Sequence, residues 1–392
     1  MNSMPISELD SDMALQVFLR LQVANPSGLI RPPVYSVDGG PFAPLRQTRY
    51  LQGETVSTVL LDSVESQANR QENLLYRHAP LPDLRVELFD GRQVSQYEAP
   101  GRILDPIFRE ALWDGPPFVG TPFHKTPLFQ AIAEGGEVAE QVLFVYSPLT
   151  LVYGGWLSFH QEISPEKAPK WPRLVAVEIL GLEPEPAHRT SSRLDPLSLP
   201  GDLTELPESI AKNLEEQGKK GRLSEAGLGR LPPTASPLDV AVKEAVLVGA
   251  VSLVGFRNLR LPQEAQEALL ALALLGLALQ HREGYRLRSG ADLVPERAGC
   301  LTVRALPSGK EVCLEVESLK RELDQRLEQL RETLPWPESL TELSGDRPWR
   351  KKPILLKASE GLNELYKKGL EGKAEKAKNK GKGKGKQDGE DK

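Results

Sequence analysis

The sequence predicts an α+β fold, because strand-like and helix-like patterns mix along it without the regular alternation of a doubly wound sheet. Three stretches carry that reading. Residues 13–23 (MALQVFLRLQV) alternate as a strand, with Leu15, Val17, Leu19 and Leu21 on one face. From Pro262 to about Arg282 the chain is apolar nearly all round, which describes a buried helix with proline at its first turn. Residues 300–316 (CLTVRALPSGKEVCLEV) read as a hairpin about Pro307-Ser308-Gly309.

Between these landmarks the elements follow in order. Residues 25–46, rich in Pro and Gly, read as a surface loop. Val59, Leu60 and Leu61 end a strand, and a helix begins behind Asp62, which with Glu65 has the spacing of a capping box. Val64, Ala68 and Leu75 form its expected buried stripe. Residues 84–89 make a short strand closed by Asp90-Gly91. A helix is expected across 102–113, starting near Pro106, and another from Thr126-Pro127 to the glycines at 135–136. VLFVY (142–146), LVAVEIL (174–180) and the β-branched run 239–256 read as strands, as does YRLRSGADLV (285–294). Residues 318–334 place Leu319, Leu323, Leu327, Leu330 and Leu334 in helical register.

Residues 184–237 change character. They are rich in Pro, Gly and Ser, with one polar helix (207–217) and the basic cluster Lys219, Lys220 and Arg222, as in a long excursion from a core. From Lys373 the composition is Lys/Gly-rich and cannot bury a core, so 373–392 is expected to be a disordered tail. Such a tail adds salt-sensitive nucleic-acid affinity or merely solubilises, and composition does not choose between them.

The 392 residues allow two average domains or one elaborated domain, and a formal charge of −5 excludes a generally basic nucleic-acid coat. Any RNA contact must be local. Cys300 and Cys313 form no CxxC unit, which argues against zinc, and two thiols fit a reducing cytosol. The N-terminus lacks a signal-sequence pattern, and the longest apolar run, Ala268–Leu279, is too short to span a membrane. A cytoplasmic protein is expected.

Signals for catalysis are weak. None of the five histidines is spaced as a metal pair, and no nucleophile-elbow, Walker or dinucleotide glycine pattern occurs. No metal or cofactor is implied. His188 alone stands in a polar basic run, HRTSSR, where it could serve as a general base.

Signals for anion binding recur. After Asp62 the helix start carries Ser66, Gln67, Asn69 and Arg70, short polar groups and a guanidinium where free N–H groups and the positive dipole end point. In HRTSSRLDP, Arg189 and Arg193 flank Ser191 and Ser192, a set suited to phosphate and 2′-OH contacts. FRNLRL presents Arg257 and Arg260, and YRLRSG projects Arg286 and Arg288 from one strand face. The competing reading of each is a solvated or salt-bridged surface.

DSVESQANRQE (62–72), HRTSSRLDPL, FRNLRL and YRLRSGADLV, in that order, resemble the crRNA-binding backbone subunit of type I-G (formerly I-U) CRISPR Cascade complexes, a Cas-seven-like family of the RAMP superfamily. The resemblance implies an RRM-like (ferredoxin-like) core over 1–372 with large insertions, including a thumb-like element at about 196–235 bearing Lys219, Lys220 and Arg222. It further implies a non-catalytic protein that oligomerises along the guide. Its partners would be crRNA, target DNA through the guide, further copies of itself, a guide-processing and capping subunit, a large subunit and a helicase-nuclease. A rival within the superfamily is an endoribonuclease that processes CRISPR RNA.

Overall fold

The computed structural model describes residues 9, 11–36, 38–157, 168–193, 196–197, 207–216, 231–346, 349 and 352–380. The chain opens with β1 (Ala14–Val23), whose buried Leu15, Val17 and Leu21 keep the expected alternation. A two-residue strand, β2 (Leu29–Ile30), leads to the hairpin β3 (Arg46–Leu51) and β4 (Glu54–Asp62). Helix α1 (Val64–His78) follows directly. Its N-cap is Ser63 rather than Asp62: the Ser63 hydroxyl accepts from the Ser66 N–H, while Asp62 remains the last residue of the strand. Ala68 and Leu75 are buried as expected but Val64 is only half-buried, and the stripe is completed by Gln67, Gln71, Glu72 and Leu74.

Strands β5 (Leu84–Glu87) and β6 (Gln93–Ser95) form the hairpin around Asp90-Gly91. The helix expected across 102–113 is instead a 3-10 turn (Arg102–Leu104), a four-residue helix (Pro106–Arg109) and β7 (Ala111–Trp113). Pro106 lacks an N–H, and the Asp105 side chain accepts from Ile107 N, so the helix starts afresh there. Helix α2 (Pro127–Glu134) has its Thr126 cap and ends at Gly135 with φ 72°. VLFVY, expected as a strand, lies in α3 (Gly136–Tyr146), followed by α4 (Pro148–Tyr153). All five of its residues are buried, and complete burial erases the periodicity that separates a strand from a helix.

Next come β8 (Val175–Leu182), β9 (Glu185–Arg193), α5 (Glu208–Glu216) and β10 (Leu231–Ala241). The run 239–256 is not one strand. It divides among the end of β10, β11 (Glu244–Ser252) and the short helix α6 (Leu253–Arg257), which Ser252 caps. Helix α7 (Gln263–Glu283) is buried along almost its whole length. YRLRSGADLV folds as a hairpin, β12 (Tyr285–Arg288) and β13 (Ala291–Pro295), turning at Gly290 with φ 71°. The expected later hairpin is β14 (Leu301–Leu306) and β15 (Glu311–Leu314). After it come α8 (Val316–Thr333), β16 (Ile354–Ala358) and α9 (Glu360–Lys380).

Helix α9 corrects the tail boundary: 373–380 are helical, so the structureless segment expected from Lys373 does not begin there. A second correction concerns the cysteines, which are not free thiols but a disulfide joining the start of β14 to β15.

The chain divides into two compact units. One comprises residues 1–186 and 239–359. Its described strands build a nine-stranded sheet in the order β12-β13-β1-β11-β8-β4-β3, with β14 also pairing β1 and β15 pairing β14. Neighbours β1/β11, β11/β8 and β8/β4 are all antiparallel. At the centre of β11, Gly249 permits the approach of β8, since a Cβ there would sit 2.0 Å from the Ala176 carbonyl oxygen. Leu15, Val17, Val177, Ile179, Leu247 and Val251 are buried on one side of the sheet, and α1 packs on both α7 and β8. Alternation sends Leu60, Leu180, Leu182 and Val246 to the opposite side, a smaller cluster ringed by half-buried Phe18, Tyr35 and Val248. A four-stranded sheet, β6-β5-β16-β7, stands in the same unit.

The other unit comprises 187–238 and 360–392 and contains α5, α9 and most of the adjacent strands β9 and β10. Lys219, Lys220 and Arg222 lie outside the described residues. Among those described, no helix is long and apolar enough to cross a membrane.

Candidate nucleic-acid interface

The chemistry of the α1 start is set by one carboxylate. Asp62, at the end of β4, is 1 % exposed. A buried carboxylate must be satisfied by donors, and here the donors come from two elements. From α1, Ser66 Oγ donates to Oδ1 at 2.9 Å, Gln67 Nε2 to Oδ2 at 2.6 Å, and Arg70 Nε to Oδ2 at 2.9 Å. From β12, Arg288 Nη2 reaches Oδ1 at 3.4 Å and also donates to the Leu61 carbonyl at 3.0 Å. The expected anion at this helix start is therefore an internal one.

Arg70 ties the hub to the β12 backbone, donating to the carbonyls of Arg286 at 3.0 Å and Leu287 at 2.7 Å. Arg288 donates to the carbonyl of Arg31 at 3.0 Å, and Arg31 is itself paired with buried Asp239 at 2.6 Å. Burial and the neighbouring Arg70 charge hold the Arg288 pKa below its ordinary value, against the pull of Asp62. Arg31, Arg70, Arg286 and Arg288 thus share one corner. Arg286 differs from the others: its side chain is 83 % exposed, with Asp292 at 3.6 Å. On the near side, Glu65 pairs with Arg173 at 3.0 Å, and a hydrogen bond from its own backbone N–H, then Arg173, holds its carboxyl below the ordinary value.

Behind Asp62 a chain of buried amides runs along α1. Gln67 Oε1 accepts from Gln280 Nε2 at 2.8 Å, Gln280 Oε1 from Gln71 Nε2 at 3.0 Å, and Gln71 Oε1 from the Tyr153 hydroxyl at 3.0 Å. Next to Gln71, Glu72 is paired with Arg102, whose guanidinium also donates to the Gly154 carbonyl and lies over the Tyr153 ring. Burial nevertheless raises the Glu72 pKa.

The structure therefore brings together Ser66, Gln67, Asn69, Arg70, Arg286 and Arg288 and gives them different tasks. Gln67 is 0 % exposed with its amide fully engaged, which corrects its expected place among RNA contacts: it positions Asp62. Ser66, Arg70 and Arg288 are partly buried and committed to the same carboxylate. Asn69 and Arg286 are the exposed members. Arg257 and Arg260 belong to a different place, around α6, and Arg257 leaves a short helix rather than the expected strand. Its guanidinium donates to the Asp12 carbonyl at 2.5 Å, and the Arg260 backbone N–H donates to Glu140. Arg189, Ser191, Ser192 and Arg193 lie on β9 in the second unit, where His188 and Ser192 are exposed. No group of His, Cys, Asp and Glu among the described residues could hold a metal ion.

Sequence reasoning missed Arg31 and Gln280 and misread Asp62 as a cap. The available signal was glutamine at 67 and 71, one helical turn apart on the face that also carries Ala68 and Leu75.

Residues 19–185 match a family described as CRISPR-associated protein GSU0053 (Cas_GSU0053). The matched stretch is similar to CRISPR-associated proteins. It includes Asp62 and all of α1, and ends before Arg286 and Arg288. No curated protein matches the chain. Among solved structures, the crystal structure of Thermofilum pendens Csc2 is similar at 12% identity and a TM-score of 0.29, over 88% of this chain and 85% of that one, a likeness too loose to carry an argument.

Proposed function

We propose that this chain is a non-catalytic crRNA-binding backbone subunit of a type I-G-like CRISPR effector complex, which polymerises along the guide and presents it to target DNA. The observation that carries this reading is the CRISPR-associated family match over 19–185, a stretch that contains the whole α1 start and its Asp62 hub. Sheet order supports an RRM-like core. Strands β13/β14, β1, β11 and β8 stand side by side and antiparallel, with α1 between β1 and β8 in sequence and α7 between β11 and β13. That is the βαββαβ order, with the β3–β4 hairpin added at one edge.

A subunit that must accept any spacer holds the guide through phosphate and sugar, and base pairing reads the target. Exposed Arg286 and Asn69 supply such contacts from the Asp62 corner; Arg189 and Arg193 supply them from the second unit. The capping, large and helicase-nuclease subunits complete the complex.

The experiment is purification from host cells without nuclease treatment. A uniform small RNA with a repeat-derived end, in a large particle holding many copies of this chain, supports the reading; a nucleic-acid-free monomer overturns it. RNA cleavage that is lost in His188→Ala while binding persists would establish the endoribonuclease alternative instead.

A further inference from the structure

At the opposite end of α1 from the Asp62 corner, the helix and the β5–β6 hairpin flank a second polar site. A cleft of about 350 Å³ lies between them, at the small end of the size range of small-molecule pockets, about 300–1,000 Å³. Two tyrosines line it, Tyr76 from α1 and Tyr97 just past β6, with ring centroids 5.3 Å apart and planes tilted by 42°. Both hydroxyls are occupied. Tyr76 Oη donates to Asp83 at 3.1 Å and accepts from Arg85 Nη2 at 2.7 Å, while Tyr97 Oη donates to the Pro82 carbonyl at 2.5 Å. The rings are therefore pinned by their polar ends, and both half-buried side chains line the cleft.

The polar groups around the rings are preorganised by Asp83, which is 8 % exposed. It accepts from Arg85 Nε at 2.6 Å and from Ser95 Oγ at 2.7 Å, fixing the guanidinium at the rim. Glu98 accepts from the Ser95 N–H through one oxygen, at 2.8 Å, and Asn73 is exposed on the adjoining turn of α1. The cleft thus combines aromatic faces, a planar guanidinium donor, a carboxylate acceptor and an amide that both donates and accepts.

We infer that the Tyr76–Tyr97 cleft receives one unpaired nucleobase of the bound RNA, stacked on tyrosine and bonded at its edge by Arg85, Glu98 or Asn73. Stacking accepts every base because each has a π face, so the site serves a protein that must follow any guide. It adds a base contact to the phosphate and sugar contacts proposed at the other end of α1. This inference rests on the RNA-binding reading above.

The test compares a single-stranded RNA of about 20 nucleotides with an abasic ribose-phosphate chain of equal length, each bound to the full chain. Wild-type protein is expected to prefer the base-bearing RNA by about ten-fold, the scale of one stacked base. Tyr76→Leu should lose most of that preference while its affinity for the abasic chain is unchanged, and Tyr76→Phe should keep it. Equal preference in Tyr76→Leu and wild type overturns the inference and leaves the RNA-binding reading intact. If neither chain binds, both fall. Photocrosslinking of 4-thiouridine RNA to the wild-type protein needs no variant: crosslinks at Tyr76 or Tyr97 are expected, and crosslinks confined to other regions overturn the assignment.

Discussion

Gln280 of α7 donates to Gln67 of α1 at 2.8 Å, and the direction of that bond is dictated from its far end. Asp62 only accepts, so Gln67 must turn its NH₂ toward it and its carbonyl toward Gln280; the same polarity then passes through Gln71 to the Tyr153 hydroxyl. Replacing Gln280 by Leu leaves a buried donor on Gln71 and a buried acceptor on Gln67. The expected loss is about 1–3 kcal/mol for each group left unpaired, read as a lower urea midpoint. A midpoint equal to wild type would mean that water replaces the amide.

Asp62→Asn removes the charge on which Arg70 and Arg288 converge. Breaking one side of an ion pair around a buried carboxylate costs up to about 3 kcal/mol, because the partly buried guanidinium groups lose their counter-charge. The variant should unfold at markedly lower denaturant and, while folded, hold β12 less tightly, seen as faster amide exchange at Arg286 and Leu287.

Arg286 and Arg70 separate surface from scaffold. Arg286→Ala should leave the melting temperature unchanged, weaken RNA binding about equally for unrelated sequences, and reduce the salt slope by about one. Arg70→Ala should lower the melting temperature first, since its guanidinium joins Asp62 to the β12 backbone. Sequence-selective loss in Arg286→Ala would contradict contact through phosphate.

The arginine pattern in YRLRSG and the polar helix start were legible in sequence, and so was the α+β mixture. What sequence did not convey was the direction of those side chains. Gln67 and Asn69 look alike in composition, but a two-residue step, which carries the chain to the opposite face of the helix, separates a buried amide from a solvated one, and only the α7 partner decides which is which. Elements misread as strands or helices have separate causes. VLFVY is buried throughout, so periodicity had nothing to report there, and 239–256 was read as a single run although Lys243-Glu244 and Ser252 mark its breaks between strands and into a helix. The cysteines lie thirteen apart in sequence, and only the pairing of β14 with β15 brings them together.

His281 gives a pH signature. Its Nε2 stands 3.0 Å from the Gly299 carbonyl and so carries the proton, leaving Nδ1 to accept from Tyr285 at 3.3 Å. Burial lowers its pKa from the ordinary 6.5, so the folded state binds fewer protons than the unfolded one. Stability from this group is complete above about pH 6.5 and declines as pH falls toward the folded pKa. Glu65, lowered from 4.5, acts in a separate window below that value. His281→Gln should flatten the slope of stability just below pH 6.5 and leave the acid limb; an unchanged slope would assign the effect elsewhere.

The Cys300–Cys313 bond predicts no titratable thiol in the unreduced, denatured protein. Closing a loop of this length stabilises by about 3 kcal/mol in the chain-entropy account, so a reductant should lower the denaturation midpoint of wild type and leave Cys300→Ser unaffected. Two thiols per chain before reduction would refute the pairing.

The Asp62 hub also orders events on the ribosome. Asp62, Gln67 and Arg70 leave the exit tunnel long before Gln280 and Arg288, because α7 and β12 are made only after the whole of 187–238. Until then the nascent α1 carries a stripe of glutamines and a carboxylate with half its cations, and of its two packing partners only β8 has been made. The main body consequently closes late, when the last third of the chain arrives, and a message truncated before α7 yields a product whose first helix lacks its helical partner and is destined for chaperones or proteolysis.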